Sequence, residues 1–213
     1  MHIELTEMLR CPELHKEEFL VLSTGEMVGR MVQLGIIGCP VCHREYPVVD
    51  GIVDFGSASG AARVPPAKAA EAGAPAGLSG GHPHATDAAT LQALLDLGGP
   101  GGIVVLVGSA ARHAQGLAAL MAGIHFVGIN APADLEELPV LSLLHCSHSV
   151  PLRGAVARAV VIGAESAAAP WLSEGNRVLL PGRRYVLEST TVPLPIGIAH
   201  LAAGNGVVVG EKR

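Results

Sequence analysis

The sequence predicts an α/β protein: a mostly parallel sheet with a C-terminal antiparallel hairpin, preceded by a small β module that carries most of the cysteines. Three observations predict it. From residue 86 onward, apolar runs of strand length alternate with helically spaced leucines, the pattern of a parallel sheet covered on both faces. Near the C-terminus, Asn205-Gly206 stands between two apolar runs, a strong hairpin signal. Before residue 56, Cys11, Cys39 and Cys42 fall in a unit too small to gather a large core. Units of that size are usually stapled by metal or disulfides.

Each element follows from its local pattern. Leu91, Leu94 and Leu95 keep helical spacing behind the cap candidates Thr86 and Asp87, with Gly98 placed to end the helix. Ile103 to Val107 is a continuous apolar run, as in a strand buried on both faces. Leu117, Leu120 and Met121 form a second helical stripe, stopped at Gly123. Ile124 to Ile129 reads as a strand, Asp134 to Leu138 as a helical turn, and Val140 to Leu144 as a strand. Ala159 to Ile162 is a further strand, Ala167 to Leu172 a helix, and Tyr185 to Leu187 a strand. Ile196 to Leu201 and Val207 to Val209 make the hairpin that closes the sheet edge. Residues 56–85, rich in Gly, Ala, Pro and Ser, read as a flexible linker, with His82 and His84 as solvated loop residues. The division is therefore 1–55, linker 56–85, and a Rossmann-like unit 86–213.

Composition narrows the function classes. Hydrophobic residues make up 49% and charged residues 15%, enough for a sizeable core and too apolar for global disorder. No run of about 18 apolar residues appears, and the N-terminus lacks a basic region followed by an apolar stretch. The expectation is a cytoplasmic protein without a membrane partner. Residues 1–56 hold nine acids against four bases, and the remainder holds ten of each. A chain without basic excess is a poor nucleic-acid ligand, so a protein partner or self-association is expected instead.

Cys39-Pro40-Val41-Cys42 is a C-x2-C knuckle, which offers two thiolates to one tetrahedral metal. Cys11-Pro12 begins the matching knuckle, but Leu14 stands where its second Cys would be, and His15 follows. The expected zinc ligands are Cys11, His15, Cys39 and Cys42, with His43 as a substitute donor. A metal-free relic and a redox pair are the alternatives.

Two resemblances rest on these residues. MLRCPELHKEEFLVL and GCPVCHREYPVVDGIVDF, over residues 3–55, are similar to the small zinc-ribbon proteins that activate methyltransferases. Residues 86–212 resemble class I S-adenosylmethionine-dependent methyltransferases. VLVGSAAR (105–112) falls at their first strand and glycine loop, FVGIN (126–130) at the end of their second strand, and Arg177 to Arg183 before their fifth. The resemblance implies a cofactor site at Gly108, Ser109 and Asn130.

The departures imply loss of that site. The glycine loop keeps Gly108 but continues Ser109-Ala110-Ala111-Arg112. Asn130 replaces the carboxylate that holds the ribose, Leu106 replaces an acid, and Arg158 stands where the fourth strand starts with Asp. Each lost charged hydrogen bond costs about 1.5–3 kcal/mol, and three or four together rival the roughly 8 kcal/mol of micromolar binding. The expectation is a non-catalytic methyltransferase-like protein with no catalytic residue. An active S-adenosylmethionine-dependent enzyme with an atypical pocket is the alternative. Leu94 to Gly102 (LLDLGGPGG) mimics a glycine loop but reads as a helix end. Cys146 reads as a partly buried strand end, Ser166 as a helix cap, Trp171 as a core or interface residue, and His113 as a loop end.

Overall fold

A computed structural model describes residues 1–56, 86–135 and 138–213, so the linker expectation and His82 and His84 lie outside the described residues. The N-terminal part contains β1 (Val21–Val28), β2 (Met31–Gly38), β3 (Glu45–Val49) and β4 (Ile52–Asp54). The second part contains α1 (Ala88–Leu95), β5 (Ile103–Val107), α2 (Ala114–Leu120), β6 (His125–Ile129) and β7 (Leu141–His145). It continues with β8 (Ala157–Ile162), α3 (Trp171–Val178), β9 (Leu179–Leu187), β10 (Ile198–Gly204) and β11 (Val207–Lys212).

All eleven strands form one sheet in the order β1-β2-β3-β4-β7-β6-β5-β8-β9-β11-β10. From β7 to β9 every neighbour is parallel, and β11 runs antiparallel to β9 and to β10. This is the Rossmann-like, mostly parallel sheet with the C-terminal hairpin that the alternating pattern predicts. The turn is as expected: Asn205 and Gly206 both carry positive φ, 50° and 80°, which a tight hairpin of this hand requires.

The seam between the two parts is a pair of strands. β4 lies parallel to β7, with Ile52 opposite Leu143 and Asp54 opposite His145. The cores join as well. One hydrophobic cluster contains Met1, Leu9 and Tyr46 together with Val105, Val107 and Val160, on one face of the sheet. The other face packs Val104, Leu106 and Phe126 under α1 and α2 through Leu91, Leu95 and Leu117. All five residues of β5 are buried because its alternate side chains feed these two cores. A polar joint reinforces the seam. Arg177 donates to Glu174 and to the carbonyls of Val150 and Leu152, Val150 N–H donates to Glu174, and Arg10 lies 3.8 Å from the same carboxylate.

Several boundaries differ from expectation. Helix α1 is capped by Asp87, which accepts from Thr90 N–H at 2.8 Å, and it ends at Asp96 in left-handed conformation rather than at Gly98. The helix expected over 167–172 begins at Trp171, because Pro170 has no N–H to continue a helix and suits its start. Arg177 and Val178 finish that helix and β9 starts at Leu179, earlier than Tyr185. Ala133 and Asp134 form a turn, while Glu136 and Glu137 of the expected helical turn lie outside the described residues. Leu94 and Leu95 lie within α1, so LLDLGGPGG leads into β5 and is not the loop that follows it. No described helix is long and apolar enough to cross a membrane.

Candidate metal centre and candidate cofactor cleft

The turn after Leu9 and the turn between β2 and β3 bring Cys11, His15, Cys39 and Cys42 together. Their donor atoms all lie within 4.8 Å of one another. Cys11 Sγ is 3.6 Å from Cys42 Sγ, and Cys39 Sγ is 3.4 Å from His15 Nε2. Zinc–sulfur and zinc–nitrogen bonds of about 2.3 and 2.0 Å place tetrahedral donor pairs roughly 3.5–3.8 Å apart, so these spacings suit one ion. His15 Nδ1 is 2.6 Å from Lys16 O; donating there, the ring keeps the Nε2 lone pair toward Cys39. Leu14 is fully exposed and takes no part, and His43 lies outside the cluster at φ 58°. An ion pair between Glu13 and Arg44, at 3.1 Å, ties the two turns.

The thiols are not equivalent. Burial pushes Cys11 up to about 11 against hydrogen bonds from the Tyr46 hydroxyl and the Glu13 N–H. Burial also acts to raise Cys39, but N–H groups of Cys42 and Val41 and the neighbouring thiols outweigh it and hold Cys39 at about 7. His15 is raised, chiefly by its bond to the Lys16 carbonyl. Such a set can lose its thiol protons to solvent as a metal binds and hold it as three thiolates and an imidazole.

The candidate cofactor residues occupy the carboxyl ends of β5 and β6. Gly108 follows β5 with φ 65°, and the space beside its Cα is taken. A Cβ at Gly108 would run into Glu165 Oε1 and Ser166 Oγ. Glu165, just after β8, accepts from Ser109 N–H at 2.5 Å and from Ser109 Oγ at 2.6 Å. Burial works to raise the Glu165 carboxyl, and these Ser109 bonds more than reverse it. Asn130, in left-handed conformation at φ 50°, is also committed. Its Nδ2 donates to Cys146 O at 2.9 Å and its Oδ1 accepts from Cys146 N–H at 2.8 Å. That amide staples the ends of β6 and β7.

Arg158 requires a correction of its meaning. It sits at the amino end of β8, away from Gly108, and donates to the carbonyls of Gly98 (2.7 Å), Gly99 and Pro100 (both 3.1 Å) and Gly101. It holds the loop before β5, so it carries no information about the cofactor. Arg112 forms a two-pronged pair with Asp134 at 2.7 and 3.0 Å. Ser109 and Asn130, two of the three candidate positions, thus already hold groups from this chain.

The remaining chemistry-bearing residues sort plainly. Cys146 is buried, its thiol pushed well up by that burial. Trp171 packs partly buried against the first core. Ser166, expected as a helix cap, caps no described helix, and Glu165 beside it binds Ser109; His113, expected as a loop end, has its Nε2 2.7 Å from Glu188 at the end of β9. Both partnerships join residues just past the carboxyl ends of parallel strands β5, β8 and β9, a signal present in the strand order but not in local spacing. Deep in the seam, His125 Nε2 is 2.8 Å from the fully buried Ser142 hydroxyl, which also accepts from His2 N–H. Burial lowers His125 to about 4, helped by the nearby His2 ring and the amino terminus.

No family model and no curated protein matches this sequence. Solved structures do resemble it. The geranyl diphosphate C-methyltransferase from Streptomyces coelicolor A3(2), in complex with Mg2+, geranyl-S-thiolodiphosphate and S-adenosyl-L-homocysteine, is 19% identical, covering 47% of this chain and 41% of that one at TM-score 0.39. A SAM-dependent methyltransferase from Aquifex aeolicus is 14% identical over 60% of this chain and 90% of that one, TM-score 0.44. A structure of the Haloferax volcanii Trm112 methyltransferase activator with a methyltransferase is 19% identical over 47% and 50%, TM-score 0.38. This chain thus spans half or less of the first and third. The likeness is one of fold alone.

Proposed function

We propose that this chain is a non-catalytic methyltransferase-like protein whose N-terminal zinc-ribbon module and sheet domain act by binding a protein partner or a second copy. The single observation that carries the reading is the filled cleft. Glu165 sits on Ser109 over Gly108, and Asn130 spends both ends of its amide on Cys146. A sulfonium nucleoside would have to expel a carboxylate that makes two hydrogen bonds and break a two-bond staple. Residues 1–55 serve as the metal module and 86–213 as the methyltransferase-like part. Cys11, His15, Cys39 and Cys42 would hold zinc, which when bound supplies a structural cross-link between the two turns. Interaction is supported by apolar side chains left exposed on β1, β2 and β3, among them Val21 at 63%, Ile36 at 45% and Val49 at 41%.

The test is calorimetric titration of the full chain with S-adenosylmethionine, alongside metal analysis of the purified protein. The expected result is no heat of binding at tens of micromolar ligand, with close to one zinc per chain. Micromolar cofactor binding would overturn the non-catalytic reading.

A further inference from the structure

We propose that Tyr46 is a positioning residue of the metal centre, its hydroxyl donating a hydrogen bond to the Cys11 thiolate; this rests on the zinc reading above. Tyr46 stands on β3 and is among the largest fully buried side chains, 1% exposed. Its ring packs against Phe55, centroids 4.7 Å apart at 42°. Its hydroxyl lies 3.3 Å from Cys11 Sγ. A buried phenol oxygen needs a partner, and a neutral thiol is a weak one. A thiolate is a strong acceptor, so a buried hydroxyl aimed at sulfur suits a sulfur that carries charge.

Charge balance gives the bond its purpose. Three thiolates and an imidazole around a divalent ion leave the centre with one net negative charge, partly buried. Backbone N–H groups offset that charge at Cys39, from Cys42 and Val41, and at Cys11, from Glu13. Among the described residues, Tyr46 is the side-chain hydroxyl that joins them. It draws electron density from Cys11 and fixes that sulfur's direction, the role outer hydrogen bonds have at metal sites. Because Tyr46 on β3 lies opposite Ile37 on β2, close to the second knuckle, it couples the placement of Cys11 to the strand pair that flanks Cys39.

The test uses the full chain with Tyr46→Phe, which keeps the ring and removes the oxygen, and Phe55→Leu, which disturbs the ring packing and keeps the oxygen. Zinc affinity is read by competition with a chromophoric chelator, and cobalt(II) loaded in place of zinc reports the sulfur-to-metal charge-transfer band. Tyr46→Phe is expected to bind one metal with 10–100-fold lower affinity and to move that band to lower energy. Phe55→Leu is expected to leave the band in place. An unchanged affinity and band in Tyr46→Phe would overturn the assignment, as would an equal band shift in both variants. If the unaltered chain binds no zinc or cobalt, the metal reading itself fails and the inference falls with it.

Discussion

Asn130 offers the sharpest test of the stapled cleft, because the change that should favour a cofactor is the change that should damage the fold. Asn130→Asp introduces the carboxylate that the methyltransferase resemblance associates with ribose. It keeps the acceptor for Cys146 N–H, now 2.8 Å from Oδ1, but replaces the donor to Cys146 O, at 2.9 Å, with a second acceptor. The stranded carbonyl costs about 1–3 kcal/mol, and an anion facing it adds to that, so the loss should be about 2–4 kcal/mol. Aspartate tolerates the positive φ nearly as well as asparagine, so backbone strain does not confuse the comparison. With a urea m-value of about 2 kcal/mol/M, the unfolding midpoint should fall by roughly 1–2 M. Asn130→Gly, which relaxes the backbone while losing both bonds, serves as the control. An unchanged midpoint in Asn130→Asp, or micromolar S-adenosylmethionine binding by that variant, would refute the reasoning.

Three further outcomes are expected. His125 is held neutral in the fold at about 4, against about 6.5 unfolded. Its contribution is complete above the unfolded value and erodes as pH falls toward 4, worth about 3 kcal/mol across the window. Urea titrations at pH 7.5 and 5 should differ by about 2 kcal/mol, and His125→Gln should shrink that difference; an equal acid sensitivity in the variant would refute the assignment. Gly108→Ala should cost at least about 2 kcal/mol through positive φ and collision with Glu165. Adding Glu165→Ala should recover part of that loss, so strict additivity in the double-mutant cycle would count against the contact. Finally, chelating zinc should lower the melting temperature of the entire chain in a single transition, because one sheet and one core run through both parts. At metal a thousandfold above Kd the stabilisation removed is about 4 kcal/mol, and two separate transitions would contradict the shared core.

Much of the architecture was legible because strands buried on both faces write themselves as uninterrupted apolar runs. Ile103–Val107 and the Asn205-Gly206 turn are the clearest instances. Helix α3 was misplaced for a physical reason. Gly175 sits where a Cβ would come within 3.1–3.2 Å of Tyr185, Val160 and Ile162, so close packing demanded a residue that weakens the helical pattern. The four donors gathered at one point were readable from spacing alone. The plugging of the cleft was not, since Glu165 meets Ser109 across 56 residues through neighbouring strands β8 and β5. Arg158 shows the opposite failure: aligned with a functional position, it serves the far end of the sheet as a clamp on four carbonyls.

The parallel pairing of β4 with β7 has a consequence for the exposure of the central strands. β7 carries Leu141, Leu143 and Leu144 around the buried Ser142, and without β4 it would be an outermost strand. Its bare N–H and C=O groups, set among leucines, would be a template for any passing chain. The N-terminal part therefore doubles as a cover for β7, and trimming the protein back to residue 86 should leave that strand's backbone and leucines open to association.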